Sequence, residues 1–383
     1  MKHIIESANV YLTENCNLNC DYCYEKHTHK QQTMNSAMMD QVIDFCCDHA
    51  EEEIRFWLFG GEPLLVGDKV IEFIEKAIRK ARQLKIRPMF NVLSNGTMFN
   101  KDFAEYWKTH FCVTFQISLD GNKEAHDQHR KTKNGEPTYD RIAENIKEYL
   151  KYRRDLHLRL TLMPDTVRSL STSVASIYDL GVRSLAFMPV HEVEWKQEEI
   201  EVYREEFKKV TDLFVGLIQN KEKAYLGNVR LSCPGEYFQA IPCGAGNLFV
   251  SITTQGDIYP CHRFIYLDYN GETFKIGDVF RGFDAEKKAM FDDVTIDRMK
   301  GCSTCSAKNC SRCLAMNWYM NRDILDSTRK GYCDLPAIHD EAAIKLHSYF
   351  SKLYLWAKEN EILHEYPFVK KLIEENDYCF HVG

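Results

Sequence analysis

Where the cysteines stand constrains this chain more than any other feature. Fifteen occur in 383 residues, and eleven fall in two groups: Cys16, Cys20 and Cys23, then Cys233, Cys243, Cys261, Cys302, Cys305, Cys310, Cys313 and Cys333. Between the groups lie only Cys46, Cys47 and Cys112. The first residues hold too short an apolar run for a signal peptide, and no stretch approaches the roughly 20 uninterrupted apolar residues of a membrane span. A cytoplasmic location is therefore expected. In that reducing compartment, grouped cysteines point to metal or cluster ligation rather than disulfides. A formal charge of -7 without a long basic run argues against nucleic acid as a partner. Hydrophobic residues at 44% and aromatics at 12% allow a sizeable core.

The first half alternates short apolar runs with amphipathic helical patterns. The runs cover 8–12, 54–59, 88–93, 113–119, 156–163 and 184–190. Val70, Ile71, Ile74, Ala77, Ile78 and Ala81 recur at helical spacing after Asp68, which reads as an N-cap. A second helix is predicted over 169–180, with Gly181 as its stop. Six strand–helix units imply a parallel sheet with helices outside it, an open α/β partial barrel rather than a closed eightfold one. A charged helix over 198–219 leads out. The stretch 225–336 is rich in Cys and Gly with little periodicity, as expected of a segment that folds around metal. Helical patterning returns from 336 to about 375. The expected divisions are 1–222, 223–336 and 337–383.

Cys16, Cys20 and Cys23 form a C-x3-C-x2-C loop after the first predicted strand. Three thiolates so spaced can hold three irons of a [4Fe–4S] cluster and leave the fourth open for a small chelating ligand. Zinc is the alternative, but zinc takes four ligands as a rule, and no fourth stands nearby at finger spacing. Here the sequence resembles the radical S-adenosylmethionine (SAM) superfamily, and the remaining strand ends agree with it. Gly60-Gly61-Glu62-Pro63 resembles the family's loop for the SAM amino group. Ser94-Asn95-Gly96 ends the third strand, and Gln116-Ile117-Ser118-Leu119-Asp120-Gly121 ends the fourth. There, similar enzymes place polar groups on the ribose or carboxylate. His126-Asp127-Gln128-His129-Arg130 resembles the following segment, whose arginine pairs with the SAM carboxylate. The resemblance implies Gly60, Gly61, Glu62, Pro63, Ser94, Asn95, Ser118, Asp120 and Arg130 as cofactor-binding. Each alone would be an ordinary turn or surface charge, and their order along successive strands carries the argument.

The second group resembles the SPASM extension of radical SAM enzymes, which usually holds two auxiliary [4Fe–4S] clusters. The resemblance implies Cys243, Cys261 and Cys313 at the nearer cluster and Cys302, Cys305, Cys310 and Cys333 at the outer one. Cys233 is either the nearer cluster's fourth ligand or absent from it, leaving an open iron; ligation is the favoured choice. Three clusters and SAM are thus the expected cofactors. A double zinc ribbon fits the C-x2-C pairs in isolation, though not behind such a core. Cys46 and Cys47 read as core residues.

Enzymes of this build modify peptides or proteins, and two branches compete. Peptide maturases, including thioether-forming (ranthipeptide-type) ones, act on ribosomally made precursors. Anaerobic sulfatase-maturating enzymes oxidise a Cys or Ser to formylglycine. Length fits the second branch, as does Cys16 standing too near the first residue for a peptide-recognition domain ahead of it. The resemblance also implies that the second branch carries an aspartate base directly after the second SPASM cysteine, where this chain has His262. His262 is either a catalytic base or a hydrogen-bond partner near the cluster. The balance favours a thioether-forming peptide maturase, with a precursor peptide and an electron donor such as flavodoxin or ferredoxin as partners. A non-enzymatic multi-cluster electron carrier is the third reading. Arg159, Met163 and Met188 are expected to line the substrate pocket without an assigned role.

Overall fold

The computed structural model describes residues 3–27, 31–222, 224–228, 243–267, 273–307, 310–328, 332–367 and 369–370. The expected strand–helix alternation is there: β1 (Ser7–Thr13), α1 (Ser36–His49), β2 (Glu53–Gly60), α2 (Gly67–Leu84), β3 (Arg87–Ser94), α3 (Lys101–Thr109) and β4 (Val113–Ser118). Then come α4 (Lys123–His129), α5 (Tyr139–Leu150), β5 (His157–Leu162), α6 (Leu170–Asp179), β6 (Ser184–Pro189), α7 (Gln197–Gln219) and a short β7 (Tyr225–Leu226). Strands β1 to β7 pair in parallel in chain order. The curved sheet stays open, because β1 pairs on its other side with a later strand rather than with β6 or β7.

Alternation along the strands separates two environments. Ile54, Phe56 and Leu58 of β2 are buried, under helices such as α2, whose Phe73 stacks edge-on against Phe56 at 5.3 Å. The intervening positions face the concave side, where Trp57, Phe59, Gln116, Ser118, Arg159 and Met188 line one cavity. Arg159 and Met188 are thus where expected, whereas Met163 is not among its lining residues. Asp68 is not the N-cap of α2: the helix starts at Gly67, straight out of a 3-10 turn over Pro63–Val66, so Asp68 sits in its first turn. There its charge still favours the positive helix end. Gly181 follows α6 with φ of +92°, the left-handed position a helix-ending glycine takes.

The second cysteine region is more regular than its sequence suggests. β8 (Phe249–Ile252) pairs in parallel with β1, and β9 (Asp257–Tyr259) folds back on β8. α8 (His262–Leu267), β10 (Gly277–Asp278), β11 (Gly282–Phe283), α9 (Ala285–Asp292) and α10 (Leu314–Asn321) follow. An open edge at β1 leaves backbone groups to be paired, and the run Phe249-Val250-Ser251-Ile252 supplies the pairing. The sheet therefore continues into the region with Cys243 and Cys261. The terminal helix α11 (Leu335–Glu359) packs on α7. Phe350 meets Phe214 at 6.3 Å, and the buried Tyr203 hydroxyl lies 2.5 Å from His339 Nε2. Cys46 and Cys47 are core residues of α1. Cys233 lies outside the described residues, as does the part of the expected last helix beyond 370. Among the described residues no helix is long and apolar enough to cross a membrane.

Candidate active site

The loop from Cys16 to Cys23 leaves the end of β1 and is held from two sides. From β2, Gly61 N–H donates to Thr13 O (2.9 Å) and Glu62 N–H to Asn15 O (2.7 Å). The approach is so close that a Cβ at Gly61 would stand 2.1 Å from Asn15 O, and one at Gly60 2.3 Å from Thr13 O. Gly60 also has φ of +119°, a conformation side chains resist. The two glycines line the cavity, and their close contact here is with the cysteine loop, where the resemblance implied the approach of the SAM amino group. On the other side, Asn19 N–H donates to Lys131 O (2.9 Å) and Asp21 N–H to His129 O (3.0 Å).

Glu62 is 1% exposed and points into the protein. Its carboxylate accepts from Leu64 N–H (2.9 Å), Ser94 Oγ (2.8 Å) and Asn95 N–H (2.6 Å). Burial pushes its pKa up, and these donors pull it back. Glu62 thus ties the ends of β2 and β3 together, while Pro63 opens the 3-10 turn behind it. Asn95 faces the cysteine loop: its Nδ2 donates to Asn17 Oδ1 (2.8 Å) and stands 3.8 Å from Cys16 Sγ. Asn17 in turn donates to Thr97 Oγ1 at 2.8 Å.

A second buried network joins the ends of β4 and β5 to the same loop. Tyr22 hydroxyl bonds the Asp120 carboxylate and accepts from Arg130 Nη1 (2.7 Å), and Asp120 Oδ1 accepts from Thr161 N–H (2.8 Å). Burial pushes the Asp120 carboxyl up, although Arg130 and Tyr22 oppose it. Arg130 is 7% exposed and its Nε has no partner. A buried guanidinium with an idle N–H can accept one more anionic or carbonyl oxygen. His126 holds the network from behind. Its Nδ1 accepts from Asp120 N–H (3.0 Å), so its proton is on Nε2, 2.9 Å from Thr138 Oγ1, which donates to Arg130 O at 2.8 Å. Burial and then Arg130 lower the His126 pKa to about 3, keeping the ring neutral.

Cys16, Cys20, Cys23, Gly60, Gly61, Ser94, Asn95, Ser118 and Arg130 line one cavity of about 540 Å³, together with Cys243 and His262. Glu62 and Asp120 stand behind its wall. His262 is enclosed: Asn9 lies 2.8 Å from its Nδ1, Tyr24 stacks on it at 5.5 Å, and Phe59 covers it at 5.2 Å. Burial, then Arg159, lowers its pKa to about 4. Cys243, Cys261 and Cys313 stand close together: burial and then Cys313 push Cys243 up to about 11, and burial, Cys313 and Cys243 push Cys261 up. Cys302 Sγ lies 2.7 Å from Ser327 Oγ, and Cys333 Sγ 3.6 Å from Ser327 O, so those two share a neighbour. Among the described residues no three His, Cys, Asp or Glu side chains converge on a common point as a metal site would require. The donor chemistry nevertheless fits an iron–sulfur cluster with an open iron: three soft thiols on one loop, an N–H near a sulfur, and a roomy cavity before them.

Tyr22, Asn17, Thr97, His126 and Thr138 carry the site without having been singled out as ligands. The aromatic between Cys20 and Cys23 was the signal available for Tyr22.

The Radical SAM superfamily profile matches residues 10–170. The chain is 26% identical to the cysteine-type anaerobic sulfatase-maturating enzyme of Clostridium novyi (strain NT), over 80% of this chain and 83% of that protein. It is 26% identical to the serine-type enzyme of Klebsiella aerogenes, over 76% and 75%. The fold is that of anSMEcpe with bound AdoMet (TM-score 0.71, 19% identity, 88% of this chain and 97% of that one). It is also similar to Streptococcus suis SuiB bound to precursor peptide SuiA (TM-score 0.60, 14% identity, 86% and 76%). Residues 10–170 thus form a radical SAM domain, and the chain is homologous to the anaerobic sulfatase-maturating enzymes.

Proposed function

We propose that this enzyme is a peptide maturase that joins a cysteine sulfur to a carbon of another residue in a ribosomally made precursor. The observation that carries this reading is a single cavity reaching from the Cys16–Cys23 loop to Cys243 and His262. At about 540 Å³ it lies in the range of ligand pockets. SuiB, of similar fold, was solved with a precursor peptide. A radical SAM domain over residues 10–170 speaks against the electron-carrier reading.

In this reading Cys16, Cys20 and Cys23 hold the first [4Fe–4S] cluster. Gly60, Gly61, Glu62, Pro63, Ser94, Asn95, Ser118, Asp120 and Arg130 form the SAM site. Two further clusters use Cys243, Cys261, Cys313 and Cys233, and Cys302, Cys305, Cys310 and Cys333. The divisions 1–222, 223–336 and 337–383 are the radical SAM core, the SPASM region and the terminal helical segment. The enzyme works in the cytoplasm with a flavodoxin or ferredoxin as donor. When bound, cluster and SAM supply abstraction of a hydrogen atom from a carbon of the substrate. The chain's part is orientation and exclusion of water. Arg130, steadied by Tyr22 and Asp120, offers its idle Nε–H to the SAM carboxylate, and Glu62 fixes the β2 and β3 ends that carry Gly61 and Asn95. Trp57, Phe59 and Met188 keep the cavity wall apolar. His262, a neutral ring with Nδ1 engaged by Asn9, either takes the thiol proton or orients its neighbours.

Formylglycine formation is the second reading, favoured by the likeness in sequence to both cysteine- and serine-type maturating enzymes. The histidine at position 262, in place of the aspartate expected of that branch, argues against it. Anaerobic incubation with cysteine-containing peptides encoded beside this gene decides. Loss of two hydrogens with a thiol that no longer alkylates supports the thioether. Formylglycine on a sulfatase peptide, with no cross-link on the others, overturns it.

A further inference from the structure

The concave face holds a second cavity, of about 140 Å³, walled by β6, Gly227, Asn228, Cys310, Tyr332 and the start of α11. Arg159, Met188 and Pro189 belong to both cavities. Arg159 lies in β5 between Ser118 of β4 and Ala186 of β6, so its side chain stands where the two spaces meet. The charged groups around it are engaged elsewhere. Arg263 pairs with Glu192 and covers the Tyr24 ring at 4.9 Å, and Asp120 is taken by Tyr22, Thr161 and Arg130. The Arg159 side chain makes no hydrogen bond or ion pair among the described residues; it is half-buried and faces the like charge of Arg263. A guanidinium held that way keeps its N–H donors free for the acceptors of a ligand.

We propose that Arg159 is the specificity residue of the substrate site and takes the carboxylate of an Asp or Glu side chain of the peptide at the junction of the two cavities. The proposal rests on the peptide-maturase reading and names the class of peptide: acidic at a fixed distance from the reacting cysteine. A planar guanidinium matches a carboxylate with two parallel hydrogen bonds, which a neutral amide cannot reproduce. SAM carries a carboxylate too. Arg130 is the better placed for it, because its idle Nε belongs to the network around Cys20 and Tyr22, whereas Arg159 neighbours Tyr24, Arg263 and Tyr332.

The test uses the cluster-reconstituted, SAM-loaded enzyme, immobilised under anaerobic conditions and offered a pool of peptides with one cysteine and randomised flanks. Retained peptides are read by mass spectrometry, and SAM affinity is measured alongside. The wild type is expected to retain Asp- or Glu-bearing peptides about tenfold over their Asn or Gln counterparts. Arg159→Gln loses that preference, and Arg159→Lys, which keeps the charge without the fork, keeps a reduced one. Iron content and far-UV circular dichroism establish that each variant is folded, and if Arg159→Gln does not load clusters, the comparison of Arg159→Lys with wild type decides. An acidic preference that survives in the variants, or a loss of SAM affinity in place of the preference, overturns the assignment. Equal retention of acidic and amide peptides by the wild type overturns it too and leaves the maturase reading standing. No retention of any peptide overturns the maturase reading itself.

Discussion

The Tyr22 hydroxyl donates to Asp120 and accepts from Arg130, so one oxygen sets the position of two buried charges. Tyr22→Phe takes one partner from each. The expected cost is about 1–3 kcal/mol of stability, read as a lower urea midpoint, with SAM affinity down by about tenfold. Unchanged affinity would mean that Arg130 does not depend on Tyr22. At Gly61 the argument is steric: a methyl group 2.1 Å from Asn15 O forces the loop ahead of Cys16 to move. Gly61→Ala is expected to fold yet to lose one cluster's worth of iron and SAM cleavage with it. Full iron content in that variant would contradict the account. The cysteine spacing and the strand-end motifs were legible because chemistry fixes them locally. Tyr22, His126 and Thr138 were less so, since what they do depends on partners brought together by the sheet, such as Tyr22 and Asp120, 98 residues apart.

Strands and helices of the first half followed from periodicity because each buries one face, under helices or beneath them. The start of α2 differed from expectation: Asp68 reads as a cap in one dimension, but the turn begun by Pro63 already leads into the helix. β8 was hidden for another reason. A four-residue strand has too few positions to show a period, and its partner, β1, lies far back in the chain. The terminal helix was legible as a helix but not as to where it docks. Its fully buried Phe350 makes that checkable. Phe350→Ala is expected to cost about 3–5 kcal/mol, and amide exchange over Leu335–Glu359 should quicken while β1 to β4 keep their protection. Quickening throughout the barrel would show that α11 is not a separable element.

At the scale of the whole molecule, several histidines are buried without charge. Burial lowers His126 to about 3, helped by Arg130, His157 to about 4, helped by Arg159, and His339 to about 4. In the unfolded chain each would titrate near its ordinary value of about 6.5. The folded pKa lies lower, so between the two values the unfolded state binds more protons. The stabilisation is complete above about pH 6.5 and is lost as pH falls toward 4, by about 1.4 kcal/mol per pH unit for each histidine. The urea midpoint should fall steeply from pH 6.5 to 5, and a flat profile would contradict the assignment of neutral, buried rings. The division between the barrel and the cysteine-rich region was the hardest feature to read, because the sheet runs from one into the other across β1 and β8.

In the proposed function the Cys16–Cys23 loop and the polar groups behind it form a site for reductive cleavage of SAM. The direct measurement is release of 5′-deoxyadenosine by the anaerobically reconstituted, reduced protein, compared with a variant carrying alanine at Cys16, Cys20 and Cys23. 5′-Deoxyadenosine is expected from the first and none above background from the second. Equal release from both, or none from a wild-type protein loaded with iron and sulfide, would contradict it.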